Sequence, residues 1–213
     1  MQIAIPLFHQ VTALDAVGPY EILQRLPGAT VTFVGHEAGA TIRTDNGFLG
    51  MVTDQAFEDV PAPDVIVVPG GVGTRPLTKD DRVLDWLRQA HQTTRFTTSV
   101  CTGSLVLAAA GLLSGMDAAT HWANHTELDA LGACPTSRRV VEHLQQRIIT
   151  AAGVSSGIDM ALRLSALLFD DVAAKAMQLM VEYDPQPPFD AGNVEAAGEE
   201  VLARVIEYAR DKV

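Results

Sequence analysis

Val65-Ile66-Val67-Val68 is a run of four apolar β-formers, closed on one side by Pro63-Asp64 and on the other by Pro69-Gly70-Gly71. A strand without polar alternation has no face to offer to water, so it must be covered on both sides. Strands of that kind belong to parallel sheets, where the crossover connections supply the covering helices. The rest of the chain provides what such a sheet needs. Ile3 to Phe8, Thr30 to Val34 and Arg95 to Val100 read as further strands. Helical spacing runs over Val11 to Leu26, where Gly18-Pro19 interrupts it, and over Asp80 to His91 through Val83, Leu84, Trp86 and Leu87. It returns over Gly153 to Phe169, Asp171 to Tyr183 and Val194 to Ala209. Thr41 to Thr53 reads as a hairpin turning at Asn46-Gly47, a dipeptide suited to a type I′ turn. Ala118 to Trp122, Val140 to Glu142 and Arg147 to Ala151 read as short strands. The expected fold is α/β: a three-layer sandwich with a mostly parallel sheet and helices on both faces.

With 213 residues and 47% hydrophobic content, the chain has material for one sizeable core, so a single domain over 1–213 is expected. Its 15 Lys and Arg stand against 26 Asp and Glu, a formal net charge of −11, which argues against a nucleic-acid partner that needs clustered cations. No window is apolar enough to span a bilayer, and Met1 to Pro6 reads as a first strand rather than a signal peptide. Cys101 and Cys134 are therefore expected to stay reduced in the cytoplasm. No CxxC, HExxH or paired-histidine spacing points to a metal.

The chemistry-bearing stretch is Thr97-Thr98-Ser99-Val100-Cys101-Thr102-Gly103-Ser104, where a strand runs without spacer into the helix-compatible residues 104–113. The chain must turn sharply at Cys101, which resembles a nucleophile elbow with cysteine for serine. At a helix N-terminus, the dipole and free N–H groups would favour a thiolate. A structural cysteine buried in a tight turn fits the same stretch. Asp15 lies just past the first strand in apolar company and reads either as a helix cap or, beside Cys101, as a carboxyl sharing a proton with the thiol. In a parallel sheet the ends of the strands before Asp15, Gly70-Gly71 and Cys101 fall along one edge, so these residues are expected to converge. Thr102 reads as a hydroxyl donor into the site or a helix cap. His121, in Thr120-His121-Trp122, reads as pocket lining rather than as a triad base, because no acidic partner follows at obvious spacing. Glu21 is a weaker rival to Asp15, Cys134 reads as a loop thiol, and His9, His36, His91 and His143 as chemically idle.

In the order Leu14-Asp15-Ala16-Val17-Gly18-Pro19, Val67-Val68-Pro69-Gly70-Gly71, Ser99-Val100-Cys101-Thr102-Gly103-Ser104 and Thr120-His121-Trp122, the chain resembles the ThiJ/PfpI superfamily and, within it, the isocyanide hydratase branch. The resemblance runs from Met1 to about Phe189. It implies a flavodoxin-like fold with Cys101 as nucleophile, Asp15 as acid/base and Thr102 as hydrogen-bond donor. Gly70, Gly71, His121, Trp122 and Val154 would line the substrate and oxyanion site. It also implies a homodimer without metal or organic cofactor, acting on a small isocyanide. Peptidase-like members carry histidine after the cysteine where this chain has Thr102, which counts against proteolysis. Related chains form the sensory half of AraC-type regulators; with so few residues after the last helix, no helix-turn-helix pair is expected here. A glyoxalase or deglycase, or a non-catalytic cysteine sensor, would use the same elbow.

Overall fold

The computed structural model of the protein describes residues 1–210. The strands in chain order are β1 (Gln2–Pro6), β2 (Thr30–Gly35), β3 (Thr41–Arg43), β4 (Gly50–Val52), β5 (Gln55–Ala56), β6 (Val65–Val68), β7 (Phe96–Val100), β8 (Asp117–Ala119), β9 (Cys134–Thr136), β10 (Val140–His143) and β11 (Ile148–Ala151). The helices are α1 (Ala13–Leu23), α2 (Thr74–Leu77), α3 (Asp81–His91), α4 (Gly103–Ala109), α5 (His125–Ala130), α6 (Ser156–Leu168), α7 (Asp171–Met180) and α8 (Val194–Arg210). The chain divides into two compact units, Met1–Val181 and Glu182–Val213. The single domain expected over 1–213 reaches past the described residues.

The first unit is built on a seven-stranded sheet in the order β10-β11-β7-β6-β1-β2-β5, parallel throughout except for β10, which pairs antiparallel to β11. β6 lies at its centre with Val65 to Val68 at most 1% exposed, as an all-apolar strand requires. α1 packs on α6 and α6 on α7, while α4 packs against α2, α3 and α5, so two groups of helices cover the sheet. The chain steps one way from β1 to β2 and the other way from β6 to β7, so the strand order reverses between β1 and β6. Open parallel sheets form their ligand crevice at the carboxyl end of such a reversal.

Several local expectations change. β3 and β4 form the hairpin, but its loop spans Thr44 to Leu49 rather than the Asn46-Gly47 pair. A type I′ turn needs positive φ at both central residues; here only Gly47 has it, and the Asn46 side chain instead takes hydrogen bonds from the Thr44 hydroxyl and the Phe48 N–H. Cys134 starts β9, in a short parallel pair with β8, instead of lying in a loop. Pro19 stays inside α1, which places Asp15 in the first helical turn. α4 ends well before residue 113, because the chain turns at Gly111, whose φ is 81°. In the second unit, α8 is interrupted at Gly198, whose φ of 75° no α-helix contains.

Candidate active site

β7 runs straight into α4, and Cys101 takes up the whole turn with φ of 55°. A non-glycine residue in that left-handed region carries about 1–2 kcal/mol of strain. The packing of α4 on the sheet demands the turn: a Cβ on Gly103 would fall inside the Val68 carbonyl oxygen, so only glycine lets the helix start this close to β6. The Cys101 N–H is shared between the Ala151 and Ala152 carbonyls at 3.0 and 3.2 Å. Its own carbonyl accepts from the Ser104 hydroxyl at 3.0 Å and the Thr120 hydroxyl at 3.2 Å.

Asp15 rises from the first turn of α1 to the same place and has no exposed surface. Its Oδ2 accepts the Gly70 N–H at 2.9 Å, while the buried Oδ1 receives no such bond. Burial lifts the Asp15 carboxyl from 3.8 to about 7, with the Gly70 N–H and the Cys101 thiol pulling it down and Asp45 adding a small push up. Burial also lifts the Cys101 thiol well above the usual thiol range, reinforced by the charge of Asp15, against the Thr102 N–H and hydroxyl. Burial and the Asp15 charge thus oppose the helix N-terminus, which by itself would favour a thiolate. Cys101 is 5% exposed, and the desolvation that comes with this outweighs the Thr102 donors. The two groups hold one proton between them and titrate as a pair.

Gly70 and Gly71 take a different role from the oxyanion donors expected of them. The Gly70 N–H is spent on Asp15, and the Gly71 N–H on the Thr102 hydroxyl at 2.8 Å. The Gly71 carbonyl accepts from Thr74 Oγ1 at 2.8 Å and Thr102 Oγ1 at 3.1 Å, with Arg75 Nη1 at 3.4 Å. The loop thus holds the acid and the threonine. Thr102 makes no capping bond to α4.

His121 lies across from the elbow. A Cβ built on Gly153 would stand 2.5 Å from His121 Cδ2 and 3.3 Å from Cys101 Sγ, so ring and thiol flank the same gap, kept open by the bare glycine. Burial and the nearby Arg75 charge lower the His121 pKa, with His125 adding to the effect. Its Nδ1 accepts the Ala123 N–H at 3.3 Å, which leaves the proton of the neutral ring on Nε2. Trp122 packs against the His121 ring, centroids 5.3 Å apart, and is 42% exposed; Val154 is half-buried against the core. Glu21 is exposed and engages Arg25 instead. Gly153, two residues past β11, is a further member of the site that carries the same sequence signal as Gly70-Gly71 past β6. No group of three or more His, Cys, Asp or Glu among the described residues could hold a metal ion.

A flavodoxin-like sheet with a cysteine elbow and a buried acid at its reversal point defines a class of α/β proteins built for thiol chemistry. Residues 1–167 match the DJ-1/PfpI family, and the chain belongs to it. It is 44% identical over 202 residues to the isonitrile hydratase of Pseudomonas putida, which covers 95% of this chain and 87% of that one. A ThiJ/PfpI family protein from Pseudomonas syringae superposes with a TM-score of 0.91 at 37% identity, over 99% of this chain and 86% of the other. The HTH-type transcriptional regulator GbdR of Pseudomonas aeruginosa is 30% identical over 74% of this chain, which spans 43% of the regulator.

Proposed function

We propose that this protein is an isocyanide hydratase, a hydro-lyase that adds water to an organic isocyanide and releases an N-substituted formamide. The observation that carries the reading is the likeness to an isonitrile hydratase over nearly the whole of both chains. The one-proton pair of Cys101 and Asp15 supplies the chemistry. Moving that proton from sulfur to Asp15 gives the reacting tautomer, thiolate beside carboxylic acid. Sulfur attacks the terminal carbon while the Asp15 proton passes to that carbon, forming a covalent thioimidate. Water then adds at the same carbon, and Asp15 relays one of its protons to nitrogen. As the C–O double bond forms and the C–S bond breaks, the hydroxyl proton returns to Asp15 and the pair is restored. Thr102 steadies the sulfur, and the neutral His121 Nε2–H, with Trp122 and Val154, lines the space for the substrate.

The protein is proposed to act as a homodimer in the cytoplasm. A reducing compartment keeps Cys101 available, and Val172, Leu179 and Met180, exposed on α7, form an apolar face that a second copy would cover. The test is hydration of an aryl isocyanide. The wild-type protein produces the formamide, whereas Cys101→Ala and Asp15→Asn produce none. Turnover by Cys101→Ala at the wild-type rate overturns the covalent route. Methylglyoxal consumed faster than isocyanide moves the assignment to a glyoxalase or deglycase. Oxidation of Cys101 with no turnover of either substrate leaves a sensor.

A further inference from the structure

We propose that Thr120 and Ser104 are positioning residues that hold the Cys101 peptide in its left-handed conformation by filling both lone pairs of its carbonyl oxygen. Ser104 donates its hydroxyl to that oxygen at 3.0 Å and Thr120 at 3.2 Å, and the Ser104 N–H adds a longer contact at 3.4 Å. Both residues are at most 1% exposed, so water does not compete for the carbonyl. The N–H side of the peptide is held by Ala151 and Ala152. Both ends of the strained residue are thus tied, and the Cα–Cβ bond that aims the sulfur has one direction.

The two hydroxyls differ in kind. Ser104 bonds back to a residue three positions earlier, a local contact that many helix starts make. Thr120 reaches in from the end of β8, so it docks the elbow onto a separate segment of the fold. Thr120 also precedes His121, whose ring flanks the thiol across Gly153. One hydroxyl therefore sets both the elbow and the approach of the histidine. Without it the Cys101 peptide can relax toward an ordinary region of φ and ψ, which swings the sulfur away from Asp15.

The assignment rests on Cys101 as the reacting group and not on the identity of the substrate. The experiment uses the full chain carrying Cys134→Ser, so that Cys101 is the sole thiol, with Thr120→Val, Thr120→Ser and Ser104→Ala added singly. Iodoacetamide alkylation of Cys101 across pH, kcat and KM with an aryl isocyanide, and thermal unfolding are measured for each. Thr120→Val keeps the shape and loses the hydroxyl, so alkylation and kcat are expected to fall on the order of 10-fold at unchanged KM. Thr120→Ser restores both, and Ser104→Ala gives a loss in the same direction. A Thr120→Val protein alkylated at the wild-type rate overturns the proposal, whatever its melting temperature. So does a Thr120→Ser protein as impaired as Thr120→Val, because the hydroxyl would then be present without holding the elbow. Should Thr120→Val fail to fold, wild-type alkylation in Ser104→Ala overturns it equally. If the parent chain hydrates no isocyanide, the functional reading fails while alkylation still decides this one.

Discussion

A buried carboxyl facing a buried thiol can pass a proton only while the pair holds one. With Asp15 near 7 and the thiol far higher, the pair gains a second proton as pH falls through neutrality. kcat/KM for an isocyanide is therefore expected to rise with pH to a midpoint near 7 and to show no decline at moderately alkaline pH. A midpoint near the ordinary value of 3.8 would mean that Asp15 is solvated in the working enzyme. The same shift governs stability. Below about 4 the carboxyl is neutral in both the folded and the unfolded chain. Between about 4 and 7 the unfolded chain ionises first, so rising pH favours unfolding, and above 7 the loss is complete. The gap between 3.8 and about 7 corresponds to about 4 kcal/mol as an upper bound. Asp15→Asn, still able to accept the Gly70 N–H, is expected to abolish turnover yet to melt higher than wild type at pH 8, with the difference vanishing at pH 4. The residues of this pair are readable from the chain because Cys101 directly follows β7 and Asp15 opens the helix that follows β1. The direction of the thiol's shift is not, since it depends on how much of the sulfur α4 and the Gly70-Gly71 loop remove from water.

At the scale of elements, the strongly periodic segments were legible, and so were the short strands β8, β10 and β11, while the shortest pairings were not. β6, β7 and α3 appear where hydrophobic pattern puts them, because a buried strand and a one-faced helix each leave an unmistakable spacing. β9 and its pairing with β8 escaped notice, because the three residues Cys134 to Thr136, with Pro135 among them, carry no strand periodicity. The Asn46-Gly47 signal located the hairpin but misjudged its loop, as the Asn46 side chain satisfies the turn's donors. Where α4 meets the sheet, the close backbone approach makes its own prediction. Gly103→Ala forces a methyl against the Val68 carbonyl, and neither partner is a flexible side-chain end. Urea unfolding is expected to show a loss of about 3 kcal/mol, at the upper end of what overpacking costs. A loss below about 1 kcal/mol would mean that α4 can slide on the sheet.

Across the whole molecule, the site is assembled from four strand ends at one edge of a single sheet: Asp15 after β1, Gly70 and Gly71 after β6, Cys101 after β7 and Gly153 after β11. That convergence follows from parallel pairing alone, which is why it could be inferred before any side chain was placed. The division at Val181 could not, because α8 has the amphipathic spacing of a core helix while Val201, Val205 and Ile206 remain 43–45% exposed. Every residue placed in the mechanism lies in the first unit, as does the whole buried core, whose last member is Met177. A chain shortened to residues 1–181 is therefore expected to fold, to unfold cooperatively, and to keep kcat within about 3-fold of the full chain, a change under 1 kcal/mol. Sedimentation of the two forms distinguishes the contributions. If the full chain sediments as a dimer and the shortened chain keeps both activity and dimer, α8 is dispensable to both. If it becomes monomeric and stays active, α8 serves assembly alone. Loss of kcat in a folded, shortened chain would overturn the expectation that the first unit carries the activity by itself.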